Sequence, residues 1–125
     1  MWSDEEYERG WFVRPTDDDR LPPSSRLRVG FTTRHGHPER FVVQLEYHHA
    51  GSWLRVARSD HVSGGPAYRN VERSGLHFDI YDANGNQIEK ATYGPPVAAN
   101  VAMMRAERIL RRDAEALIER FEKWL

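Results

Sequence analysis

At 125 residues, 39% of them hydrophobic and 30% charged, the chain is sized for one soluble domain with a single modest core. It has no cysteine, which excludes a disulfide framework and a thiolate zinc site, and no apolar run approaches the roughly 18 residues of a membrane span. The net charge of −1 conceals an asymmetry: residues 1–19 carry seven acidic side chains against two basic ones, leaving 16 basic and 12 acidic in residues 20–125.

The chain opens on "MWSDEEYERG", acidic where a secretory signal is basic and then apolar, so a cytoplasmic location without a membrane partner is expected. Ser3 and Glu6 have capping-box spacing, which predicts a short helix over 4–9 ending at Gly10. The following "RPTDDDRLPPSSR" has turn and linker composition. Residues 1–25 therefore read as a flexible acidic arm, with Trp2, Trp11 and Phe12 as its candidate partner-binding groups, and residues 26–125 as the folded domain.

Period two begins at residue 26. Leu27, Val29 and Phe31 alternate with polar residues, as do Phe41, Val43, Leu45 and Tyr47, and "HGHPE" joins the two runs as a hairpin. After the tight "HHAGS" turn, Trp53, Arg55, Ala57 and Ser59 are expected on one face of a third strand, opposite Leu54, Val56 and Arg58. A glycine-rich loop follows, then a second hairpin in which Leu76, Phe78 and Ile80 oppose His77, Asp79 and Tyr81. Asn84-Gly85 is its expected two-residue type I′ turn. Asp82, Asn84 and Asn86 imitate the opening of a calcium loop, but Gln87 stands where the loop needs glycine and Tyr93 where it needs glutamate.

Pro95-Pro96 announces a helix of some 28 residues, with Met103, Ala106, Leu110, Ala114, Leu117, Phe121 and Trp124 as its buried stripe. Its overhang past the strands is a natural homodimer contact. Arg105, Arg108 and Arg112 share one face and form either a phosphate-binding stripe or a solvated surface laced with i, i+4 pairs. The sum is an α+β fold, an antiparallel sheet of about five strands packed against one long C-terminal helix.

The stretch 26–77 gathers eight arginines against four acids and all six histidines, which suits phosphate or carboxylate partners and equally describes a solvated sheet face. Within it, Arg58, Asp60 and His61 end the third strand, Tyr68 and Arg69 follow "SGGPA", and His77 opens the next strand. If those strands are neighbours, the six side chains form one polar cluster. Asp60, His61, Tyr68, Arg69 and His77 are then the candidate catalytic groups, with Arg58 binding. A metal-independent ribonuclease needs a base, an acid and a cation for the phosphorane charge, and an imidazole with its ordinary pKa of about 6.5 changes protonation near neutrality. The bland alternative is that Asp60 pins the loop and pairs with Arg58. No histidine pair has paired-ligand spacing and no cofactor motif occurs, so neither metal nor cofactor is expected.

The stretch from "FVVQLEYHHAGSWLRVARSD" to "HFDIYDANGN" resembles a loose group of small uncharacterised prokaryotic proteins, some of them similar to toxin–antitoxin components. The likeness covers about residues 40–93 and is carried by Trp53, Val56, Arg58, Asp60, Gly64, Tyr68, Arg69, Tyr81 and Gly85. Such proteins often have histidine where this chain has Tyr68. The resemblance implies a toxin-like module that binds or cleaves RNA. The alternative is a non-enzymatic interaction module that holds a cognate protein partner through the arm and the C-terminal helix.

Overall fold

Alternating apolar residues become strands here because each run has a common face to bury. In the computed structural model, which describes residues 21–125 and the backbone of 11–13, they form a six-stranded antiparallel sheet with one long helix on it. The strands are β1 (Trp11–Val13), β2 (Ser25–Arg34), β3 (His37–His49), β4 (Ser52–Val62), β5 (Leu76–Tyr81) and β6 (Gln87–Tyr93), in that order across the sheet. Between β4 and β5 lie a 3₁₀ turn (Ala67–Arg69) and the one-turn helix α1 (Val71–Ser74); α2 (Ala99–Glu122) closes the chain. The α+β architecture expected from the pattern is the one observed.

Two hairpins turn on residue pairs with positive φ, His35-Gly36 and Ala50-Gly51, as the twist of tight two-residue loops requires. The β5–β6 connection differs from the expected Asn84-Gly85 type I′ turn, because Asn84 keeps a negative φ and only Gly85 is left-handed, at 84°. The physical reason is Asp82. Its Oδ1 accepts from the backbone N–H groups of Asn84 and Asn86 at 2.9 and 3.0 Å, while Gly85 N donates to Asp82 O at 3.1 Å, so an Asx-stabilised turn replaces the two-residue one.

Leu27, Val29, Phe41, Val43, Leu45, Phe78 and Ile80 form the buried side of the sheet. Against them α2 sets Ala99, Ala102, Ala106, Leu110, Ala114, Ile118 and Phe121. The centre of the stripe thus runs through Ala102 and Ile118, with Met103 and Leu117 at its margins, and Trp124 is 41% exposed beyond the helix end. The 24 residues of α2 span about 36 Å, shorter than the 28-residue expectation.

Two features lie outside the predicted domain limits. β1 pairs with β2 through Trp11–Gly30, Phe12–Val29 and Val13–Arg28, adding a sixth strand, and Leu21 is already part of the core cluster. The helix expected over 4–9, and Trp2 with it, lie outside the described residues. No helix among the described residues is long and apolar enough to cross a membrane.

Candidate functional site

The face of the sheet turned away from α2 carries the polar half of each alternation, and β4 decides what gathers there. Leu45 pairs with Ala57 but Glu46 pairs with Arg55, so Val56 is an extra residue, a β-bulge. Both Val56 and Ala57 enter the core, at 1% and 0% exposure. The bulge shifts the alternation by one, and Arg55, expected on the face opposite Arg58, shares a cleft with Arg58 and Asp60. Arg55 is the functional-site residue that simple period-two reading misplaces.

β4 and β5 pair only through Ala57–Ile80 and Arg58–Asp79. Beyond that point they part, and the 3₁₀ turn and α1 fill the connection. The result is a cleft of about 510 Å³ whose walls are Arg55, Arg58 and Asp60 from β4, His77, Asp79 and Tyr81 from β5, and Gln87 and Lys90 from β6. Tyr68 and Arg69 on the 3₁₀ turn form its lip. Lys90 arrives by register, standing opposite Asp79.

Asp60, 7% exposed, is the hub. Arg69 Nη2 donates to its Oδ2 at 2.8 Å, Arg58 Nε lies 3.5 Å from the same oxygen, and His77 Nε2 lies 3.5 Å from Oδ1. Burial alone pushes the carboxyl up, but His77, Arg58 and Arg69 together outweigh it and hold the pKa down at about 2. Asp79 behaves oppositely, with burial and then the Asp60 charge raising its pKa against the pull of His77, Lys90 and Arg58. Tyr81 is also raised, chiefly by burial, and Arg55 lies over its ring at 3.9 Å.

His61 does not belong to this cleft. It follows Asp60 in an extended strand, so its side chain points to the opposite face. Its ring stacks on Phe41 at 5.5 Å, and Nδ1 accepts from the backbone N–H of Val71, the first residue of α1, at 3.0 Å. That bond puts the proton of the neutral ring on Nε2, which faces Ser63 Oγ at 3.1 Å and Glu72 Oε1 at 3.8 Å. Burial lowers the His61 pKa more than Glu72 and Asp60 raise it. The six-residue cluster therefore forms with five members, Arg58, Asp60, Tyr68, Arg69 and His77, and His61 anchors α1 from behind.

The other predicted binding groups are elsewhere. Arg105, Arg108 and Arg112 are exposed on α2, across the sheet from the cleft, and Arg112 clamps Asp113 with bonds of 2.8 and 3.0 Å. Trp11 and Phe12 belong to β1, at the far edge of the sheet with β2 and β3 between them and β4.

The cleft walls and lip hold four permanent cations, Arg55, Arg58, Arg69 and Lys90, against two carboxylates, Asp60 and Asp79. Among the described residues neither Arg55 nor Lys90 has a carboxylate within 4 Å, although Lys90 stands opposite Asp79 and lowers its pKa. Such a site attracts anions. As a general base Asp60 is poorly matched to neutral pH, because a carboxylate held near pKa 2 has little affinity for a proton.

Residues 5–125 match the family described as a domain of unknown function (DUF7718), and the chain belongs to that family. No curated protein and no solved structure matches it.

Proposed function

We propose that the protein is a small RNA-binding module that takes the phosphate backbone in the cleft between β4, β5 and β6, and that it binds RNA without cleaving it. The observation that carries this reading is the charge arrangement: Arg58 and Arg69 pair with Asp60, while Arg55 and Lys90 stand on the walls with no carboxylate within 4 Å among the described residues. Phosphate contacts from such cations supply most of the affinity of a protein for a nucleic acid backbone. The resemblance of residues 40–93 to small uncharacterised prokaryotic proteins, some of them similar to toxin–antitoxin components, is in keeping with this reading. Catalysis is disfavoured because Asp60 is a carboxylate held near pKa 2 and His61 lies on the opposite face, which leaves His77 as the one imidazole lining the cleft among the described residues, with no second imidazole to complete an acid–base pair.

Fluorescence anisotropy with a labelled oligouridylate tests the assignment. Arg55→Ala and Lys90→Ala are each expected to weaken binding several-fold, whereas Arg105→Ala and Arg108→Ala on α2 are expected to leave it within twofold. The oligomer should remain intact on a denaturing gel. Equal losses from both sets would show diffuse attraction with no cleft site, and cleavage abolished by His77→Ala would restore the ribonuclease reading.

A further inference from the structure

We propose that Tyr68 is a stacking platform for one unpaired base, which makes the cleft a site for single-stranded rather than duplex RNA. The inference rests on the reading of the cleft as an RNA site and adds the strand state that the site selects.

The cleft has two aromatic rings in different conditions. Tyr81 is 7% exposed and Arg55 already lies over its ring at 3.9 Å, so it has no open face to offer. Tyr68 is 62% exposed, the largest value among the exposed large hydrophobic side chains of the described residues. Single exposed aromatics are ordinary on protein surfaces, but the mounting of this one is not that of a loose loop. Arg69 N donates to Pro66 O at 2.9 Å and Asn70 N to Ala67 O at 3.1 Å, which closes the 3₁₀ turn around Tyr68. The Asn70 side chain caps α1 by accepting from Glu72 N at 3.0 Å, and Ser74 Oγ donates to Ala67 O. Arg69, the next residue, is tied to the buried Asp60. The backbone that carries the ring is therefore fixed on both sides, and binding loses little conformational freedom there.

Lys90 Nζ stands over one face of the Tyr68 ring, 5.8 Å from its centroid, so the opposite face of this exposed ring is the one left for a base, with the cation close enough to hold a neighbouring phosphate. An aromatic face next to a cation at the mouth of a positive cleft is the combination that binds single strands, because every base has a π-face and every nucleotide a phosphate. In a duplex the bases are stacked on one another and present no free face, so the ring contributes nothing there.

The test uses the full chain and three labelled probes of equal length: an oligouridylate, an abasic oligomer with the same phosphates but no bases, and an RNA duplex. Tyr68→Leu is expected to weaken oligouridylate binding about tenfold, the scale of one lost base–aromatic stack, and to leave the abasic and duplex probes unchanged. Tyr68→Phe, which keeps the ring, is expected to match the unmodified protein. A melting curve for each variant checks that the fold is retained. If the unmodified protein binds oligouridylate and the abasic strand equally, or if Tyr68→Leu binds both as the unmodified protein does, the stacking inference is overturned while the cleft reading stands. If none of the probes binds, both fall.

Discussion

At the scale of single residues, Asp60 ties sequence to site. Its carboxylate is shared by Arg69, Arg58 and His77, which come from the 3₁₀ turn, its own strand and β5, so one side chain sets the positions of three elements. A carboxyl whose folded pKa is depressed stabilises the fold above its unfolded pKa, and that stability is lost as pH falls through the folded value. With the pKa lowered from 3.8 to about 2, the loss amounts to roughly 2 kcal/mol between about pH 4 and pH 2. Asp79, raised mainly by burial, works in the opposite sense, its contribution being present at low pH and lost as pH rises through its folded value. Asp60→Asn keeps the shape but leaves two buried or half-buried arginines without their anion. It is expected to destabilise the protein by about 3 kcal/mol at pH 7, as breaking a buried pair does. In urea denaturation the gap between variant and unmodified protein should narrow by about 2 kcal/mol at pH 2. A gap of the same size at both pH values would show that the Asp60 charge does not stabilise the fold.

At the scale of elements, much of the molecule is legible in the sequence and the exceptions have identifiable causes. The β2–β3 and β3–β4 hairpins follow from period-two runs that meet at His35-Gly36 and Ala50-Gly51, and α2 follows from its three- and four-residue periodicity. Arg58, Asp60, Arg69 and His77 could be grouped from sequence because each lies where a strand meets the long loop. Arg55 could not, since a bulge leaves no reliable sign in a run such as "WLRVARSD". Lys90 depended on the register of β6, which the Asp82-stabilised turn sets. β1 is three residues long in an acidic, proline-bearing stretch and has no alternation to read. His61 illustrates the remaining difficulty: adjacent to Asp60 in sequence, it serves α1 on the other face. A histidine with a lowered folded pKa binds fewer protons folded than unfolded. Its contribution is therefore present above pH 6.5 and is lost as pH falls from there to the folded value. Around the ring, Glu72 and Asp60 favour the charged form, and burial and His77 oppose it. His61→Gln is expected to remove the part of the acid destabilisation that lies just below pH 6.5, read as melting temperature at pH 7.5 and pH 5.5. A variant that loses as much between these two values as the unmodified protein would rule His61 out as its source.

At the scale of the whole molecule, the fold separates two jobs by face. The side covered by α2 holds the apolar core, and the other side is left to charged residues that the bulge in β4 and the parting of β4 from β5 gather into a cleft. The net charge of −1 says nothing of this, because acidic residues crowd into residues 1–19 while cations line the cleft. The central claim is that the cleft holds RNA by its phosphates, and the salt dependence of affinity tests it most directly. Each phosphate contact to a single strand contributes about 0.7 to the slope of log affinity against log salt. The unmodified protein should therefore show a steep negative slope with oligouridylate. Arg55→Ala/Lys90→Ala should show one smaller in magnitude by about 1.4, two contacts' worth. An identical slope and affinity for the two proteins would contradict the account.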